Sequence, residues 1–177
     1  MSQTTLDIKE PGLNVLPPGV ERHVVNAGGL TGLQIFPDDE IEIINEEGNQ
    51  ICEIICFDKD GKSELGILNQ KENCKKSFIK ELLKSKDESS LITNLQLKKR
   101  NLDINKSKSS ILFDEQTPSG EKIKIKSKDK CYVIFAAPQN DMLVSEQNPS
   151  SELTLFIKRD KIVNDKELSI IPDPIYE

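Results

Sequence analysis

The alternation of apolar and polar positions first becomes regular at Asp39. Ile41, Ile43 and Ile44 form one β-branched run, Glu46-Glu47-Gly48-Asn49 has the composition of a turn, and Ile51 to Phe57 forms a second run. Two such runs around a short turn predict a β-hairpin. The second run is apolar on both faces, which places it inside a sheet or barrel. Before this point, Pro11-Gly12, Pro17-Pro18-Gly19, Asn26-Ala27-Gly28-Gly29 and Thr31-Gly32 punctuate the chain and predict irregular backbone.

After the Asp58-Lys59-Asp60-Gly61 turn the spacing lengthens. Cys74, Phe78 and Leu82 recur every fourth residue, with Ile79 and Leu83 widening the stripe, so an amphipathic helix is predicted over 70–85. Asn69 and Glu72 would supply its capping box. Phe78 and Leu82 are then expected to be buried against the sheet. A second helix capped by Ser89 or Ser90 would turn Leu91, Ile92 and Leu95 inward, and 103–109 would add a short helical turn.

From Ser110 the period returns to two. Ile111 to Phe113 predicts a short strand, and Thr117-Pro118-Ser119-Gly120 a turn. Ile123 and Ile125 alternate with lysines as in a half-buried strand. Cys131 to Ala137 is continuously apolar up to Pro138, as in a central strand, and Leu153, Leu155 and Ile157 mark the last one. The fold class read from this is α+β, mainly β. The expected architecture is an antiparallel twisted sheet or small barrel of about six or seven strands, with a helical insertion near residues 70–109. The organisation expected is an irregular lead-in over 1–20, one globular domain over 21–160, and an extended tail or linker over 161–177. The tail, with Pro172-Asp173-Pro174, reads as leading into a following domain.

Composition narrows the function classes. The net charge of -6 argues against nonspecific nucleic-acid binding, which depends on neutralising phosphates. The basic runs Lys98-Lys99-Arg100 and Lys122 to Lys130 read as a solvated helix end and the wet face of a strand. The N-terminus lacks the features of a signal peptide, and no apolar run approaches the ~20 residues that span a bilayer, so a cytoplasmic, membrane-free protein is expected.

Few residues carry chemistry. His23 is the single histidine, which removes the helical two-histidine zinc motif. No nucleophile elbow, phosphate loop or dinucleotide fingerprint occurs. The four cysteines, at 52, 56, 74 and 131, lack the Cys-x-x-Cys spacing of zinc ribbons. Cys52 and Cys56 share a strand face but stand ~13 Å apart along it. Structural thiols are the expected reading, and Cys52, Cys56 and Cys131 are the residues a metal would use if one were held. Glu53 shares the face of Ile51, Ile55 and Phe57. A charge there is costly unless it is paired, hydrogen-bonded or neutralised. The expected setting is a strand edge where it meets a lysine or water. The alternative is a pocket in which Glu53 is the candidate catalytic or binding residue.

Two resemblances attach to these motifs. Residues 41–57, through Gly48, Asn49, Gln50, Ile51, Cys52 and Glu53, resemble the opening hairpin of the urea-carboxylase-associated family, with Glu53 where that family carries Asp. The family's later metal-binding His-Asp and Cys elements have no counterpart. Over the whole chain, Leu112-Phe113, Pro118, Gly120, Ala136-Ala137-Pro138 and Gln147-Asn148-Pro149 are similar to the N-terminal region of bacterial aminomethyltransferase-like proteins, among them trimethylamine N-oxide demethylases. This second resemblance implies an N-terminal accessory domain without a complete active site. The parent enzyme would be a demethylase using zinc and tetrahydrofolate. No cofactor is expected in this segment itself. Its partners would be downstream domains of the same polypeptide, with homo-oligomerisation open. The alternative is a free-standing small-molecule-binding β module built around Glu53.

Overall fold

Every apolar run expected to be a strand is one, and two further strands precede them. The computed structural model describes residues 16–139 and 150–159. Within these lie β1 (Val20–Val25), β2 (Leu30–Ile35), β3 (Glu40–Asn45), β4 (Cys52–Asp58), β5 (Ser109–Phe113), β6 (Glu121–Lys126), β7 (Cys131–Ala136) and β8 (Leu153–Lys158). Residues 1–15 of the expected lead-in, the Gln147-Asn148-Pro149 motif and the tail over 161–177 lie outside the described residues.

The strands form two antiparallel four-stranded sheets, ordered β1-β8-β3-β6 and β2-β7-β4-β5, with no closed barrel. This alternation of strands between two sheets is the order of a jelly roll. Between the sheets lies the main core, to which Ile41 and Ile43 of β3, Cys52, Ile54 and Cys56 of β4, Val133 and Phe135 of β7, and Leu153, Leu155 and Ile157 of β8 contribute. A second apolar layer lies on the outer face of the β2-β7-β4-β5 sheet. Here Ile55, Phe57, Tyr132 and Ile134 meet Ile79, Leu83 and Leu97 from the helical insertion between β4 and β5. The molecule is therefore three layers deep: sheet, sheet, helices. No helix among the described residues is long and apolar enough to cross a membrane.

Residues 41–57 are not a hairpin. Strand β3 pairs with β6 and β8, whereas β4 pairs with β5 and β7 in the other sheet. The apolar periodicity of both runs is real, but each faces the shared core from its own side, and 46–51 is a corner that crosses between the sheets. The corner has its own fastenings. The Asn45 side-chain amide donates to Gln50 O at 2.9 Å, and Asn49 N donates to Thr117 O at 2.7 Å. Gly48 adopts φ +77°, and a Cβ there would lie 2.6 Å from Ser119 N, so only glycine fits.

Strand β2 escapes the sequence pattern because Gly32 sits inside it. A Cβ at Gly32 would meet the Tyr132 hydroxyl and, at 2.8 Å, Gln96 Oε1, so glycine here marks close packing rather than a loop. Strand β1 carries the polar Glu21-Arg22-His23 between valines and is held by pairing with β8.

The helices depart further from expectation. Asn69 takes φ 55° and closes a 3-10 turn over Leu65–Leu68 instead of opening a helix. Residues 70–77 are not helical, because β5 is an edge strand that claims them. Asn73 N donates to Ser109 O, its side chain bonds Ile111 N and O, and Cys74 bridges to Ser109. Helix α1 is only the five residues Phe78–Leu82, capped by Ser77. Its buried contacts come from Ile79 and Leu83, while Phe78 and Leu82 are half-buried.

Helix α2 spans Glu88–Lys99 with Asp87 at its N-cap and is turned the opposite way from the apolar pattern. Leu91, Ile92 and Leu95 are 53%, 44% and 56% exposed, while Ser90, Thr93, Gln96 and Leu97 are buried. Polar bonds fix this orientation: Ser90 Oγ donates to Leu82 O at 2.7 Å, Asn94 Nδ2 to Leu83 O at 2.8 Å, and the Tyr132 hydroxyl to Gln96 Oε1. Asn101 at φ 56° ends the helix, with Leu102 N on Leu97 O and Asn101 N on Lys98 O, a Schellman closure. A short 3-10 turn over Ile104–Lys106 then leads to β5.

These contacts separate two truncations that the sequence would rank alike. Ile79→Ala is expected to cost about 2–5 kcal/mol in chemical denaturation, as for other fully buried truncations. Leu91→Ala is expected to stay within about 0.5 kcal/mol of the parent.

Candidate functional site

Glu53 lies within the sheet, opposite Ala136 of β7 and Ile111 of β5. It is fully buried, so neither the wet edge nor a lysine partner exists. The β4–β5 register shifts between Cys52 and Glu53. The carboxylate points to the helical layer, where three donors meet it. Ser77 Oγ donates to Oε1 at 2.5 Å, and the amides of Phe78 and Ile79 donate to Oε2 at 2.7 and 3.2 Å. Ser77 Oγ in turn accepts from Lys80 N at 3.3 Å. Glu53 therefore extends the cap of α1 from a neighbouring strand, satisfying amides that a helix start leaves unpaired.

This arrangement can hold a helix but lacks the parts of a charge-relay site. The single histidine, His23, stands on β1 in the other sheet with Nε2 3.1 Å from Glu21 Oε2. That hydrogen bond, aided by Arg159, holds the Glu21 carboxyl below its usual range. Arg159 also bonds Asp39 Oδ2 at 3.0 Å and Gln34 O at 3.0 Å, which ties the end of β8 to both sheets. Beside Glu53 there is an open hollow of about 310 Å³ lined by Ile51, Phe78, Ile111 and Asp114–Gln116, but Glu53 is not in its wall.

Cys52, Cys56 and Cys131 are all buried in the main core. Cys56 and Cys131 lie on adjoining strands, and the neighbouring Cys131 thiol together with burial pushes the Cys56 thiol up. The Cys56 thiol, with help from Ser127, lowers Cys131, whose Sγ is 3.6 Å from Ser127 Oγ. Burial likewise raises Cys52. These residues do not fit a zinc site. Among the described residues no group of three His, Cys, Asp or Glu side chains could hold a metal ion.

No protein-family model matches the chain. It does have a curated relative. Over 168 residues it is 33% identical to the trimethylamine-oxide aldolase of Ruegeria pomeroyi, an alignment covering 95% of this chain and 21% of that protein. The chain thus spans about a fifth of the length of the relative it matches. A trimethylamine-oxide-related enzyme is the connection that the whole-chain resemblance implied. The urea-carboxylase-associated likeness of residues 41–57 has no match behind it, and its hairpin does not form.

Besides Ser77, two features of α2 escape the sequence pattern. The outward face of α2 was read as its packing face; only the polar composition of Ser90, Thr93 and Gln96 at the complementary positions marks the reversal, and that signal is silent without the bonds. Arg100 was read with its lysine neighbours as a solvated helix end, but it is partly buried against Tyr132.

Three outcomes follow from this geometry. Glu53→Gln exchanges one acceptor oxygen for a donor against three donors, so a loss of about 1–3 kcal/mol is expected in denaturant unfolding; Ser77→Ala is expected to cost about 0.5–2 kcal/mol. In native protein a thiol reagent is expected to label Cys74, which is half-buried, before the other three, and all four only in denaturant. Mass spectrometry of the labelled protein reads this directly.

Proposed function

We propose that this chain is an N-terminal accessory domain of a larger enzyme of trimethylamine-oxide metabolism, and that it supplies interdomain packing rather than reacting groups. The observation that carries this reading is the exposed apolar face of α2. Leu91, Ile92 and Leu95 stand together in the solvent while polar residues hold the helix to the sheet. An apolar patch kept outward by specific bonds marks a surface that something else covers. The near-complete alignment of this chain with a fifth of its relative supports the remainder of such a polypeptide as the cover.

In the parent enzyme, as the resemblance implies, trimethylamine N-oxide would be cleaved to dimethylamine and formaldehyde. Tetrahydrofolate would take up the formaldehyde, and zinc would be held outside this segment. Cys52, Cys56 and Cys131 are enclosed in the core, and Glu53 is committed to α1, so no step is assigned to any of them.

The test compares the 177-residue chain with the protein as its native reading frame encodes it. A Leu91→Ser/Leu95→Ser double variant is expected to melt like the parent in the short chain but to destabilise the native-length enzyme. Hydrogen exchange at the α2 amides is expected to slow in the longer protein. Equal exchange in both, or a frame confined to these residues, would defeat the proposal. If the short chain forms a dimer that the double variant breaks, a second copy covers the face instead.

A further inference from the structure

At the C-terminal end of α2 the Arg100 guanidinium lies 4.5 Å from the Tyr132 ring centroid. Its Nη1 donates to Gln34 Oε1 at 2.5 Å, a neutral acceptor. Its Nε is buried without a hydrogen-bond partner. None of the ion pairs among the described residues includes Arg100. A partly buried cation normally finds a carboxylate, because desolvating its charge is costly. This one has a ring face and an amide oxygen, and burial pulls its pKa down.

The same guanidinium lines a hollow of about 320 Å³ shared with Tyr132, Leu102 and Lys130 and with the turn over 58–61 that follows β4. That volume is at the small end of the range for small-molecule sites. Lys130 and Lys59 add two cations to its lining. Of the two acids in its lining, Asp58 is held by its own turn, where Oδ1 accepts from the amides of Asp60 and Lys62 at 2.9 Å each. The carbonyls at the end of α2 are closed by the amides of Arg100, Asn101 and Leu102. Asp58 and Asp60 keep their charges, so the lining sets the three cations Arg100, Lys130 and Lys59 against two carboxylates and remains net positive.

We propose that this hollow is a binding site for a small oxyanion, a carboxylate or phosphate group seated against Arg100 and Lys130. A planar guanidinium fixed by a ring face and one hydrogen bond is pre-organised for such a group, and it still has donors to offer. The site is separate from Glu53 and from the outward face of α2, and it does not depend on the accessory role.

The experiment is a titration of the full chain with inorganic phosphate and, separately, with succinate, at constant ionic strength made up with chloride. It is followed by NMR of the arginine Nε–H and glutamine side-chain signals and by calorimetry. Saturable one-site binding that perturbs Arg100 and Gln34 is expected. Arg100→Lys keeps the charge but loses the fork, and Lys130→Gln removes the second cation. Each is expected to weaken binding roughly tenfold or more, the loss of one charge-assisted hydrogen bond. Saturation by phosphate alone identifies a phosphoryl ligand, by succinate alone a carboxylate, and by both an unselective oxyanion site. Linear shifts without saturation, or equal affinities in Lys130→Gln and the parent, would overturn the proposal. Lys130→Gln leaves the Arg100–Tyr132 stack in place, so it carries the test even if Arg100→Lys does not fold.

Discussion

Two adjacent strands, β4 and β7, have apolar residues on both faces, and neither face can be left in water. Cys52, Ile54 and Cys56 with Val133 and Phe135 point into the sandwich, and Ile55 and Phe57 with Tyr132 and Ile134 point out of it. The first set calls for an opposing sheet, the second for a third layer. A buried aliphatic side chain contributes roughly 2 kcal/mol, so leaving either set exposed would remove an amount comparable to the net stability of an ordinary domain. The helical insertion is the answer to the second set. It is less a decoration between two halves than the cover that lets the sheet exist.

That requirement explains why the helices look wrong on sequence alone. A cover needs only a few apolar contacts, here Ile79, Leu83 and Leu97, and the rest of its attachment is polar. Glu53 projects from the covered face into the start of α1, and the Ser77 hydroxyl and two amides answer it. The charge that looked anomalous in an apolar strand is what fixes where the one-turn helix begins. Likewise Gln96 and Ser90 orient α2 through hydrogen bonds. The helix's apolar side is left free as a consequence, not by oversight.

The strands were legible because period-two patterning survives whichever neighbour a strand acquires. Ile123 and Ile125 face in and their flanking lysines face out, with Lys124 3.7 Å from Glu42 on the paired strand. Pairing itself was not legible. The run from Ile41 to Phe57 has the same pattern as a hairpin or as a corner between sheets, and the choice depends on β6, β7 and β8, which come much later in the chain. Gly32 misled for a related reason, since close approach of a distant tyrosine and glutamine leaves no local trace. At the candidate site, the sequence singled out Glu53 but not its partners. Ser77 carried no signal while residues 70–77 were read as helix.

The pairing of β1 with β8 has a consequence for how the chain is made. Arg159 bonds Glu21 across 138 residues of sequence, and β8 is also the strand that lies between β1 and β3. On a ribosome, β1 and β3 must therefore wait, unpaired with each other, until nearly all the described residues have emerged. At about 5–20 residues per second that wait lasts several seconds. Such long-range closure is slow and leaves strand edges open to misassociation. The other sheet closes in the same manner, since β7 lies between β2 and β4, but it does so before β8 is synthesised. The nascent domain should pass through a state in which the helix-covered sheet is formed while its partner is still two separate pieces.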